Sequence, residues 1–216
     1  MQLCEQPNSV EGLEDARAKY KFHHQVNAIT SRFVAKEHDK TGFRLVCDDF
    51  RYENLIVNND SDLKIISVID WEWTYAAPYQ MFSSAPRWLA VTPPIMWDMP
   101  NGFQRIQYHG FLEIFLEELE CEERKRIEAQ PSLEHNDRLS DLMRESMRNG
   151  KFWFHELMYG SFTPANNPAW KVICKMHPDI LSTPLPALEV FEDFKIRQRA
   201  ASKAEWKVVK NKKKKK

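Results

Sequence analysis

Apolar and aromatic-ring side chains recur roughly every three or four positions through residues 12–38, at Ala16, Tyr20, His23 or His24, Val26 and Phe33, and no proline interrupts them. That spacing predicts one helix. Gly42 breaks it. Two short apolar runs follow, 54–58 and 63–69, joined by Asn59-Asp60-Ser61-Asp62. Residues of these joining types bond their own backbone and favour turns, so the pair reads as a β-hairpin. Residues 76–101, rich in proline and tryptophan, are expected to be irregular and to pack through Trp88 and Trp97. Helical spacing returns strongly over 102–129 (Phe103, Ile106, Phe111, Ile114, Phe115, Leu119) and again over about 133–156, where Gly150 bends or divides the helix. Residues 163–188 hold five prolines and predict loops and short turns; from Leu188 onward the chain is helix-compatible and ends in Lys212–Lys216.

The fold class expected is mainly α with a small β-hairpin, an α+β chain. Only 6 glycines argue against a sandwich or barrel of many tight turns, while 43% apolar residues with 7 Trp and 13 Phe supply a core. Three regions are expected: a helical lead-in (1–40), a main lobe (41–194) with its hairpin at 43–70, and a basic, disordered tail (195–216). Tail and body differ sharply in charge. From Lys195 onward there are 11 basic residues against one acid, Glu205. The remaining 20 basic and 30 acidic residues give 1–194 a net charge of −10. An acidic body suits metal ions or cationic molecules and is poorly suited to specific nucleic-acid binding. The four cysteines form no CxxC pair, no apolar run approaches 18 residues, and the N-terminus is polar, so neither a disulfide framework, a membrane span nor a secretory signal is expected. The default location is cytoplasmic, or nuclear through the basic tail.

The chemistry is expected between Phe43 and Glu72. Asn54 opens the first hairpin strand and Asp70 closes the second, so an antiparallel pair brings them to one end, with Asp49 on the preceding loop. Two carboxylates and an amide oxygen around a small volume suit magnesium, which prefers hard oxygen ligands, waters and substrate phosphates. Asn54 and Asp70 fit the metal; Asp49 is placed to orient a hydroxyl and accept its proton.

The run Cys47-Asp48-Asp49-Phe50-Arg51-Tyr52-Glu53-Asn54-Leu55-Ile56-Val57, then Val68-Ile69-Asp70-Trp71-Glu72-Trp73-Thr74-Tyr75-Ala76-Ala77-Pro78, then Pro86-Arg87-Trp88-Leu89, resembles the fungal branch of the aminoglycoside phosphotransferase and choline-kinase-like family, within the protein-kinase-like superfamily. The resemblance covers about residues 15–175 and is most specific over 43–97. It implies a kinase-like C-terminal lobe and ATP- and Mg2+-dependent phosphoryl transfer to a small-molecule hydroxyl. By it, Asp49 matches the catalytic base, and Asn54 and Asp70 match the metal ligands. Asp48, Glu72 and Trp73 are candidate contacts for an acceptor, a cationic one included, while core packing is the expected role for at least one of Trp71 and Trp73.

Two departures stand out. The wider family has His-Gly-Asp where this chain has Cys47-Asp48-Asp49, which removes a histidine that braces the loop. Only 48 residues precede Asp49, none of the glycines forms a G-x-G, and Lys19, Lys21, Lys36 and Lys40 lie on or beside a helix, so the ATP grip of an N-lobe is missing. Three readings stay open: a phosphotransferase, an inactive lobe that binds or scaffolds a partner at the face an N-lobe would cover, or part of a longer polypeptide.

Overall fold

The computed structural model describes residues 5–7, 9–38, 40, 42–97, 102–131, 138–159 and 167–213. In chain order the elements are α1 (Leu13–Thr30), β1 (Phe43–Cys47), β2 (Leu55–Val57), β3 (Ile65–Val68), β4 (Thr74–Pro78), α2 (Tyr79–Phe82), α3 (Phe103–Ala129), α4 (Leu139–Arg148), α5 (Lys151–Tyr159), α6 (Pro168–Met176) and α7 (Leu188–Lys213), with short 3-10 turns between several of them. The chain is mainly helical with a small antiparallel β component, an α+β fold.

It divides into two compact units, and not at residues 40 and 194 as expected. One comprises the chain up to Arg32 together with the chain from His177 onward. There α1 and α7 pack together, the Tyr20 and Phe191 rings lying 4.7 Å apart and Arg17 Nε donating to Glu192 Oε1 at 2.7 Å. The expected disordered tail is not found over 195–213: α7 runs straight through. Lys195 is fully buried, its ammonium donating to the Gln6 carbonyl at 2.8 Å, so the first cation of that segment is a structural anchor.

The other unit spans Phe33–Ser161 and Asn167–Met176. Buried Tyr108, Leu112 and Leu116 repeat every four residues along α3. They share a core with Phe152, Trp153 and Leu157 of α5 and with Trp170 and Ile173 of α6. Its aromatic centre places Tyr108 on Phe152 at 5.3 Å and Trp97 edge-on to Trp153 at 5.7 Å. The helix expected over 12–38 stops at Thr30. Beyond it the chain turns over 31–33, Phe33 stacks on Phe154 at 4.5 Å, and the Ala35 N–H donates to Gln80 Oε1 at 2.8 Å. Within the stretch expected to be loop lies α6. Pro168 opens it, and Asn167 Oδ1 accepts the Ala169 N–H at 2.9 Å; this capping starts a helix despite the surrounding prolines. The expected loop residues 163–166 lie outside the described residues.

Two antiparallel strand pairs carry the rest. In the hairpin, Leu55 faces Val68 and Ile56 faces Ser67. Its turn is held as the residue types suggest, Asn59 Oδ1 accepting the N–H groups of Ser61 at 3.0 Å and Asp62 at 2.8 Å. The second pair joins β1 to β4, from Phe43 opposite Pro78 to Cys47 opposite Thr74. Thus the segment expected to be irregular begins with a strand and the four-residue α2.

Gly150 divides α4 from α5 with φ +85, and a Cβ there would meet Met176 Sδ at 3.0 Å. Gly150→Ala should therefore destabilise the protein by about 1–2 kcal/mol, chiefly through the left-handed backbone. Gly110, in mid-α3 with open space around it, supplies the contrast. Gly110→Ala should stabilise by about 0.5–1 kcal/mol. Denaturant midpoints of the two variants check the opposite signs.

Candidate active site

The loop 48–54 leaves β1 and enters the hairpin, and the turn 69–73 leaves the hairpin and enters β4. Because β1 and β4 pair, both loops sit at one end of the same strand pair. The Asp48 N–H donates to the Trp73 carbonyl at 3.2 Å, and the Ile69 N–H donates to the Asn54 carbonyl at 3.0 Å. Asn54 Nδ2 donates to the Asp49 carbonyl at 2.8 Å. These bonds bring the backbones of Asp49, Asn54 and the residue preceding Asp70 together. Asp70 itself adopts φ +62, a left-handed conformation that aspartate tolerates better than most non-glycine residues.

The side chains are arranged less simply. The Asp49 carboxylate is gripped bidentately by Arg51, Oδ1 to Nε at 2.6 Å and Oδ2 to Nη2 at 2.9 Å. That bond holds its pKa below the usual carboxylate value, so the group is ionised but engaged. Asp48 turns the other way. Its Oδ1 accepts the hydroxyls of Tyr159 and, at 3.2 Å, Tyr75. Glu72 and Trp73 are exposed, and Trp73 at 61% and Trp71 at 50% exposure show that neither tryptophan is buried as core.

Beside Asp48 opens a cavity of about 360 Å3 with aromatic walls that include Phe50, Trp71, Trp88 and Phe115. The expected substrate contacts therefore separate: Asp48 lines this cavity, whereas Trp71 rather than Glu72 or Trp73 supplies its rim. Trp88 stands edge-on to Phe50 at 5.1 Å and to Phe115 at 5.5 Å. A smaller cavity of about 280 Å3 lies against Asp48, Asp49, Arg51 and Arg87. Arg87 thus borders both.

Sequence reasoning missed the charged centre of the larger cavity. The Glu156 carboxylate lies 2.9 Å from Arg87 Nε, and the Arg87 guanidinium stacks 4.6 Å from the Tyr159 ring centre. Arg87 is held in place because Tyr108 donates to the Pro86 carbonyl at 3.2 Å and the Ala85 N–H donates to Ser146 Oγ at 2.9 Å. Burial pushes the Glu156 carboxyl up to about 7 against the pull of Arg87, with the charge of Asp48 adding to the rise. Burial pushes the neighbouring His155 down to about 4, helped by Lys151. Tyr159 is raised by burial and by its bond to Asp48. The signal was present in the sequence: His155-Glu156 sits inside the apolar run Phe152-Trp153-Phe154 and Leu157-Met158, where ionisable side chains need a reason.

The donor set fits magnesium to a limited degree. With Nδ2 committed to the Asp49 carbonyl, Asn54 keeps its amide oxygen as an acceptor, and Asp70 is an exposed carboxylate on the adjoining turn. Among the described residues, no cluster of three or more His, Cys, Asp and Glu could hold a metal by itself. Likewise, no helix among them is long and apolar enough to cross a membrane. Comparisons with protein-family models, curated proteins and solved structures find no match to this chain.

The two buried groups of α5 act oppositely on stability. Between pH 4.5 and about 7, folded Glu156 keeps a proton that the unfolded chain has lost, so its contribution is lost as pH rises. Between pH 6.5 and about 4, unfolded His155 binds a proton that the folded chain refuses, so stability falls as pH drops. Glu156→Gln should leave stability near pH 4 unchanged and raise it near pH 8 by on the order of 1–3 kcal/mol. The variant's stability should then rise steadily with pH over the histidine range. Urea midpoints across that range check both effects.

Proposed function

We propose that Phe43–Trp97 and helices α3–α5 form the acceptor lobe of a phosphotransferase that moves the terminal phosphoryl group of ATP to a small-molecule hydroxyl. The observation that supports it best is the meeting of the Asp49, Asn54 and Asp70 segments at one end of the strand pairs, beside an aromatic cavity lined by Asp48, Arg87 and Glu156. Asp49 accepts the hydroxyl proton, after exchanging Arg51 for the acceptor. The amide oxygen of Asn54 and the carboxylate of Asp70 hold magnesium, which when bound neutralises phosphate charge. Apolar walls around Asp48 and Glu156 exclude water from the acceptor and strengthen its contacts to the carboxylates.

Binding of ATP with magnesium would stabilise the folded protein by mass action. At ten-fold above its Kd the nucleotide should raise Tm by about 3–6 °C. The rise should vanish without metal and in Asp70→Ala. A rise that persists in Asp70→Ala, or that needs no metal, would count against this reading.

A second reading is favoured by the strands. Phe43, Leu45, Ile65, Ile66 and Trp73 are each more than half exposed, apolar surface spread over both strand pairs that soluble folds seldom leave uncovered. With no G-x-G in the chain, a lobe that docks a partner on these strands and binds no nucleotide fits as well. It predicts no shift with magnesium and ATP, and binding of the apolar dye ANS that falls at least two-fold in the double variant Leu45→Asp, Ile66→Asp. Dye binding unchanged by those substitutions would sink it.

A further inference from the structure

The basic segment of α7 is ordered on one face. At about 100° per residue, Arg199, Lys203, Trp206, Lys207 and Lys210 fall within an arc of about 100°. Ala201 and Ala204 lie on the other side. Trp206 sits at the edge of this arc, between Lys203 and Lys207 along the axis, and is 71% exposed, an unusual position for an indole unless something covers it. Among the described residues, Lys203, Lys207 and Lys210 make no ion pair. The same face, further up the helix, packs on α1 through Glu192 and on Gln6 through Lys195; past Arg199 it opens into a groove of about 740 Å3 lined by Pro7, Val10, Arg199, Lys203, Trp206 and Lys207, with Glu11 at its side. Within that groove Arg199 Nη1 is shielded from solvent and has no hydrogen-bond acceptor among the described residues. Against the effect of burial, the positive charge of Arg199 helps to lower the pKa of the nearby Asp15 carboxylate.

We infer that this face of α7 binds the phosphate surface of an anionic lipid bilayer. Charge complementarity selects an anion. The shape of the face selects a bilayer over nucleic acid. The lysines are point charges on flexible stems, suited to a field of headgroups, whereas base reading draws on the forked donors of Arg, Asn or Gln. An exposed indole among lysines matches the headgroup boundary, where the ring's apolar body and its N–H are both satisfied. From Ala200 to Lys213 the helix extends about 20 Å, long enough to lay several cations along a negative surface.

The test is co-sedimentation of the full chain with vesicles of phosphatidylcholine alone and of phosphatidylcholine containing one-third phosphatidylserine. Binding to the serine-containing vesicles only, reversed by high salt, is expected. Each lysine near an anionic surface strengthens partitioning about five-fold, so the triple variant Lys203→Gln, Lys207→Gln, Lys210→Gln should bind about a hundred-fold more weakly. Trp206→Ala should weaken binding while leaving its salt dependence intact. Circular dichroism confirms that α7 persists in both variants. No sedimentation with serine-containing vesicles overturns the inference, as does binding that the triple variant retains. Tighter binding to a single-stranded oligonucleotide, able to strip the protein from vesicles, also overturns it and makes the face a nucleic-acid surface.

Discussion

The pairing of β1 with β4 is the constraint on which the candidate site depends. It closes residues 43–78 into a loop whose two ends lie side by side, Cys47 opposite Thr74. Everything between them, the loop 48–54, the hairpin and the turn 69–73, is then forced to return to one place. Without that closure the hairpin would still bring Asn54 near Asp70, but it would be free to swing away from Asp49, Arg87 and the cavity walls. The closure rests on backbone hydrogen bonds, so a substitution at Asp49 tests chemistry with little cost to the fold, whereas at Asp70 the left-handed backbone adds a cost of its own.

The larger cavity gathers charges that oppose one another. Arg87 meets buried Glu156 on one side and the ring of Tyr159 on the other, while Tyr159 and Tyr75 both donate to Asp48. One arginine thus couples two carboxylates it cannot fully neutralise, because burial outweighs its attraction at Glu156. A cationic or hydrogen-bond-donating ligand would relieve that imbalance. A neutral apolar ligand would leave it in place, which makes the electrostatics of the pocket selective as well as its shape.

Much of this was legible in the sequence because it depends on local chemistry. The hairpin was announced by two apolar runs around an Asn-Asp-Ser-Asp turn, and Asn59 does hold that turn through its side chain. The long helix α3 followed from its spacing. What stayed hidden depends on distant partners. β4 reads as part of a proline-rich tract because its strand character comes from β1, some thirty residues earlier. Phe33, just past the early end of α1, turns to Phe154, and the helix over 195–213 continues the stretch of α7 that packs on α1 at Phe191 and Glu192. Arg87 and Glu156 are 69 positions apart in sequence and become a pair only through the Tyr108 and Ser146 bonds that fix the segment before Arg87. No periodicity encodes such a meeting.

The pair of Asp49 and Arg51 sets the condition under which the proposed chemistry could run. A carboxylate with both oxygens bound by a guanidinium is ionised, as a proton acceptor must be, yet its lone pairs are occupied. The partners are two positions apart, and Arg51 is largely exposed, so releasing it breaks no core contact. A phosphate group arriving near Arg51 offers the guanidinium a more highly charged partner than Asp49 and would draw it off. The carboxylate would be freed by the same event that delivers the group to be transferred. In a lobe that never meets phosphate, Arg51 stays on Asp49 and the loop serves only to close the strand pair, so the response of this one ion pair to nucleotide separates the two functional readings at the level of atoms.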